Sequence, residues 1–232
     1  MVTVAAFLLF VMPAVASTPY PVVDTTLTVN ETGAIHIKVV QTVPDNIDGT
    51  VTYHFDLQKQ YNPENVQVYD YETGDPLHIV MKEASDVYGY DVSFSRPYYN
   101  GYTFVVEYDC HKRIIYEGGG VYSLGMRPAI DARMIDRTYT VILPVQNFTY
   151  LGYNSALDKP TSETNTGDST KIVFHNLSDQ GASYAWEVRF KATGIDNEVF
   201  KAEVPPIGNP IPGMSFIAAI TALFILALVR KR

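Results

Sequence analysis

The chain is 232 residues long and 47% apolar, with 15 Gly, 14 Pro, 17 Tyr, 11 Phe and a single cysteine. One thiol excludes an internal disulfide framework and a cysteine-based zinc cluster, since both need at least two sulfurs side by side. A formal net charge of -8 excludes a surface built to neutralise phosphates, so no nucleic acid partner is expected.

At the N-terminus, residues 2–11 (VTVAAFLLFV) form an apolar run, followed by Met12, Pro13 and the small-x-small triplet Ala14-Val15-Ala16 before Ser17. This resembles a secretory signal peptide over residues 1–16, cut between Ala16 and Ser17. An uncleaved N-terminal anchor is the alternative, and either one exports the middle of the chain.

That middle is dominated by strict alternation. In residues 52–57, Tyr53, Phe55 and Leu57 share one face while Thr52, His54 and Asp56 share the other. In residues 186–191, Trp186, Val188 and Phe190 oppose Glu187, Arg189 and Lys191. Such segments are half-buried antiparallel strands. Further strands are predicted over 22–29, 34–43, 66–71, 77–81, 90–94, 102–108, 138–143 and 171–174, with turn residues at 30–33, 44–49, 72–76, 100–101 and 179–181. Many short strands without an amphipathic helix predict an all-β fold of one or two antiparallel β-sandwich modules, immunoglobulin-like in architecture. An internal echo supports two: DVSF and YTFVVEY in the first half match KIVF and YAWEVRF in the second. The modules are placed at 17–117 and 121–198, separated by Gly118-Gly119-Gly120, with a single composite sandwich as the alternative.

Several residues invite a chemical reading. Three sequons, at Asn30, Asn147 and Asn176, permit N-glycosylation of an exported chain. Asp45-Asn46-Ile47-Asp48-Gly49 resembles a calcium loop but lacks the downstream bidentate acid, so an ordinary turn is the stronger reading. Asp109-Cys110-His111 sets a thiol beside an imidazole, yet neighbours on a strand point to opposite faces, which favours a buried free thiol over a nucleophile. The 5 histidines (36, 54, 78, 111 and 175) show no metal-ligand spacing. Tyr98-Tyr99-Asn100-Gly101-Tyr102, with Tyr88 and Tyr90, suits either cross-strand packing or an exposed aromatic patch. No phosphate loop, serine-hydrolase elbow or paired acidic motif is present, so no cofactor and no enzymatic activity are expected.

A Pro-rich spacer over 199–213, ending VPPIGNPIPG, behaves as an extended segment. It leads into an uncharged run over 214–229, MSFIAAITALFILALV, closed by Arg230-Lys231-Arg232. At ~1.5 Å per residue the run covers roughly 24 Å of a ~30 Å hydrocarbon core, a short transmembrane segment. The basic tail, 230–232, fixes a cytoplasmic C-terminus and an extracellular body. Pro212-Gly213-Met214 followed by the apolar run and basic tail resembles the archaeal Pro-Gly-Phe (PGF-CTERM) sorting signal, with Met214 in place of Phe. The resemblance implies an archaeosortase-like processing enzyme that removes the tail and attaches the protein to membrane lipid. The expectation is a membrane-anchored cell-surface protein with a non-catalytic body acting in envelope structure, adhesion or protein interaction, its partners being membrane lipid and surface or envelope proteins. An extracellular ligand- or sugar-binding module of a membrane complex is the alternative.

Overall fold

Fourteen strands account for most of the residues described by the computed structural model, which are 21–43, 51–94, 102–130, 135–178 and 183–192. They are β1 (Val22–Val29), β2 (Ile35–Val43), β3 (Val51–Gln58), β4 (Pro63–Asp70), β5 (His78–Glu83), β6 (Val87–Phe94), β7 (Tyr102–Cys110), β8 (Ile115–Gly118), β9 (Val121–Ile130), β10 (Ile135–Pro144), β11 (Phe148–Tyr153), β12 (Ser162–Asn165), β13 (Ser169–Ser178) and β14 (Ser183–Ala192). A single 3-10 turn, Lys59–Tyr61, joins β3 to β4. The fold is all-β. Among the described residues no helix is long and apolar enough to cross a membrane, and the expected span over 214–229 lies outside them.

The strands form a seven-stranded sheet in the order β12-β13-β10-β1-β2-β7-β4, a four-stranded sheet β11-β14-β9-β8 and a three-stranded sheet β3-β6-β5. Neighbours run antiparallel except β1 and β10, which pair in parallel from Val22 opposite Asp136 to Thr28 opposite Ile142. The purely antiparallel arrangement expected is therefore corrected to a mixed long sheet: β1 has β2 on one side only, and β10 fills its other edge. Gly118, Gly119 and Gly120 take φ of 101°, 62° and 77°, a left-handed stretch that glycine alone tolerates without strain. Expected to separate two modules, this run is the turn of the β8–β9 hairpin, and strands from either side of it share the long sheet.

Register decides which face is buried. Ile37, Val39 and Gln41 of β2 stand opposite Tyr108, Val106 and Phe104 of β7, and directly opposed residues face the same side. On this face Leu27, Ile37, Val141 and Phe174 pack with Leu124, Trp186 and Phe190 of the four-stranded sheet. Phe104, Val106 and Val68 of the same face pack with Val92 and Phe94 of the three-stranded sheet. Both small sheets thus cover one face of the long sheet; the other, here the open face, is covered by neither of them, although Val105 on it is only 1% exposed. Burying each such apolar side chain stabilises by roughly 1.5–3 kcal/mol. At Gly125 a Cβ would sit 2.7 Å from the Trp186 carbonyl oxygen, so a bare backbone lets β9 and β14 close up.

Halves of the chain severed at the glycine turn test the shared sheet. A fragment of residues 121–198 loses β1, the neighbour of β10, and is expected to give no cooperative thermal transition alone, but to regain one when mixed with a fragment of residues 17–117. A cooperative melt of the isolated 121–198 fragment would contradict the arrangement.

Candidate functional site

Outward alternation on β2 turns His36, Lys38 and Thr42 to the open face, and β7 sets Asp109, Glu107 and Thr103 directly opposite. His36 Nδ1 lies 3.0 Å from Asp109 Oδ1, and Asn65 Nδ2 donates to Asp109 Oδ2 at 2.8 Å. Lys38 Nζ is 2.9 Å from Glu107 Oε1 and donates to the Tyr69 hydroxyl at 3.1 Å. That hydroxyl donates in turn to Glu107 Oε1 at 2.7 Å. Hydrogen bonding to Glu107 and then Tyr69 holds Lys38 above its ordinary pKa. Desolvation pushes Glu107 up, but its bonds from Tyr69 and Lys38 prevail and its carboxyl sits below the usual value. Asn65, then His36, hold Asp109 low against desolvation. Carboxylates locked in their ionised form are poor proton donors near neutral pH. Partly exposed ion pairs of this kind contribute at most about 1 kcal/mol each.

The three-stranded sheet carries a second cluster. His54 and Asp91 are directly opposed on β3 and β6, and Gly89 stands opposite Asp56. His54 Nδ1 is 2.6 Å from Asp91 Oδ1 and Nε2 is 3.1 Å from Asp56 Oδ1. Both ring nitrogens can bond a carboxylate only if both carry hydrogen, which requires the imidazolium. A Cβ at residue 89 would lie 2.9 Å from His54 Cε1, so glycine makes room for the ring. The Asp91 bond is the main cause that raises the His54 pKa. Lys82, which also pairs with Asp91, and then His54 hold Asp91 low. His175 Nε2 lies 2.8 Å from Asp136 Oδ1, and His111 Nε2 lies 3.4 Å from Glu64 Oε2.

The residues singled out in the sequence are scattered rather than gathered. Cys110 is 2% exposed, and burial pushes its thiol up to about 11, so it stays protonated and weakly nucleophilic at neutral pH. Its neighbours turn elsewhere, Asp109 to His36 and Asn65, His111 to Glu64. Tyr90 and Tyr102 are buried, the Tyr102 hydroxyl donates to Asp70 Oδ2 at 2.8 Å, and Lys59 Nζ stands 4.9 Å from the Tyr88 ring centre. Tyr90 and Tyr102 thus pack inside the fold, and Tyr88 is half-buried beneath Lys59. Asn30 is exposed in the β1–β2 turn, Asn147 is half-buried in the β10–β11 turn, and Asn176 is half-buried on β13 opposite Arg137. Ala16, Ser17, Pro212, Gly213, Met214, Arg230, Lys231 and Arg232 lie outside the described residues, as do the stretches 45–49 and 98–101. Among the described residues no three His, Cys, Asp or Glu side chains are grouped to hold a metal ion. Sequence reasoning missed the Lys38–Glu107–Tyr69 and His54 clusters; their one signal is polar residues at alternate strand positions.

No protein-family model matches the sequence, and no curated protein matches it. Among solved structures, an M1 zinc metallopeptidase from Deinococcus radiodurans bound to a Tyr-Ser-Ala substrate is similar over 74% of this chain and 41% of its own, at 11% identity and a TM-score of 0.39. Yeast LTA4 hydrolase in complex with bestatin is similar over 72% of this chain and 28% of its own, at 10% identity and a TM-score of 0.43. The chain spans less than half the length of either protein, and at these scores the likeness carries no inference about activity.

The His54 cluster has a pH signature. A raised folded-state pKa contributes stability that is present below the unfolded value of about 6.5 and is lost as pH rises through the folded value. An NMR ring titration is expected to place the His54 midpoint above 6.5, and Asp91→Asn to bring it back toward 6.5. A His54 midpoint at or below 6.5 in the unsubstituted protein would refute the imidazolium.

Proposed function

We propose that the chain is an exported, membrane-anchored surface protein whose all-β body is one composite β-sandwich without catalytic activity, serving envelope structure, adhesion or protein interaction. The observation that carries the reading is the uncharged run over 214–229 ended by Arg230-Lys231-Arg232, with a second apolar run over 2–11 at the opposite end. A span stopped by basic residues keeps its tail in the cytoplasm and sends the preceding body outside. The Pro-rich spacer between Ala192, where β14 ends, and the run would hold the body clear of the bilayer.

The body's chemistry supports contact rather than turnover. Asp109, Glu107 and Asp91 are each tied to a cationic or amide partner across strands on open sheet faces, whereas acid–base catalysis needs groups free to exchange protons with a bound substrate. A sheet face of fixed charges suits recognition of a partner surface. The Pro212-Gly213-Met214 signal adds a processing step in which an archaeosortase-like enzyme exchanges the span for lipid.

Fractionation of the native host tests the reading. The full chain is expected in the membrane fraction after an alkaline carbonate wash, digested by protease added to intact cells. A chain lacking residues 214–232 is expected in the medium. Full-length protein recovered from the cytosol would reject the proposal.

A further inference from the structure

We propose that Asn30 is the residue of this chain that carries an N-linked glycan, on the exposed turn between β1 and β2. The proposal rests on the surface reading above, because an exported chain is the one that meets a lipid-linked sugar donor and its transferase.

Three sequons satisfy the sequence requirement equally, and geometry separates them. Asn30-Glu31-Thr32 lies beyond Val29 opposite Ile35, the last pair of the β1–β2 ladder, and all three residues are exposed. Asn30 Oδ1 accepts three hydrogen bonds: from the Thr32 backbone at 3.0 Å, the Thr32 hydroxyl at 2.7 Å and the Ala34 backbone at 3.0 Å. The side-chain nitrogen Nδ2 makes no hydrogen bond among the described residues. Three donors on the carbonyl oxygen withdraw density from the amide and ease loss of a proton from Nδ2, because they stabilise the charge that gathers on Oδ1. In the transfer, a bond forms between Nδ2 and the anomeric carbon of the sugar. The bond from that carbon to the phosphate of the lipid-linked donor breaks, the phosphate leaves with the electron pair, and the Nδ2 proton passes to a base of the transferase.

The other two sequons are tied into the fold, one by its middle side chain and one by its place in a ladder. In Asn147-Phe148-Thr149 the middle side chain is 2% exposed and meets Phe190 edge-on at 5.4 Å. Drawing this sequon into an enzyme would pull Phe148 from the core. Asn176-Leu177-Ser178 lies wholly within the β10–β13 ladder, opposite Arg137, Asp136 and Ile135. Register also gives the glycan a place. Thr28 pairs with Ile142 near the end of β10, and Phe148 after the following turn pairs with Ala192 at the end of β14. Asn30 therefore sits at the same end of the sheets as Ala192, the last residue of β14.

The test uses the full chain purified from the envelope of its native host, with protease shaving of intact cells as the readout of exposure. Mass spectrometry of the three sequon peptides is expected to find a sugar adduct on Asn30 and none on Asn147 or Asn176. Thr32→Ala is expected to abolish the adduct and Thr32→Ser, which keeps the hydroxyl, to retain it. A surface-exposed chain with a bare Asn30, or with its adduct on Asn147 or Asn176 instead, overturns the proposal and leaves the surface reading standing. A chain shielded from protease overturns the surface reading and the glycan with it.

Discussion

The parallel pairing of β1 with β10 is the constraint on which the rest of the molecule depends. Buried backbone N–H and C=O groups must find partners, and β1, paired with β2 on one side, finds its second set of partners on β10. A parallel pair cannot be closed by a tight hairpin and needs a long crossover. Here the crossover is the whole run from β2 to β9, which contains the three-stranded sheet and part of the four-stranded one. Joining the two ends of that run sets β13-β10 beside β1-β2-β7 and makes a sheet wide enough to seat both small sheets on one face. Contacts of such long sequence separation are entropically costly to close and make for slow folding.

Covering one face and leaving the other open sorts the polar residues. On the covered face Trp186 stacks on Phe174 at 4.9 Å and Phe94 meets Tyr102 edge-on at 4.5 Å, arrangements that add to the area term of burial. On the open face Val105 is buried, whereas cross-strand register brings the partly exposed His36 to Asp109 and Lys38 to Glu107. These exposed pairs stabilise little. Their larger effect is to fix where positive and negative charge stand on a surface of net acidic character, which shapes the choice of partner more than the stability of the fold.

The local half of this architecture was legible in the sequence. The alternation of VVDTTLTV and of YAWEVRF marks β1 and β14 because one side of each strand is buried and the other wet. β9 was missed because Gly125, Arg127 and Pro128 interrupt its pattern, and β12 because Ser162-Glu163-Thr164-Asn165 offers no apolar side. The echo between DVSF…YTFVVEY and KIVF…YAWEVRF reflected shared strand periodicity, while the β1–β10 pairing that joins the halves leaves no local trace, since alternation states which face a residue takes and never which strand lies beside it. The candidate sites divide the same way. Cys110 could be placed inside by alternation alone, but the contacts of His54 with Asp91 and Asp56 depend on register and on the bare backbone of Gly89.

The seven-stranded sheet joins strands from both halves of the chain, and β14 ends at Ala192, opposite Phe148 of β11. Native-state hydrogen exchange of the intact chain, read amide by amide, tests the continuous sheet most directly. The account predicts that amides of Thr26 and Leu27 in β1 exchange as slowly as those of Thr140 and Val141 in β10, and that both respond in parallel to added denaturant, as members of one cooperative unit. Fast exchange throughout β1 beside a protected β10 would contradict it.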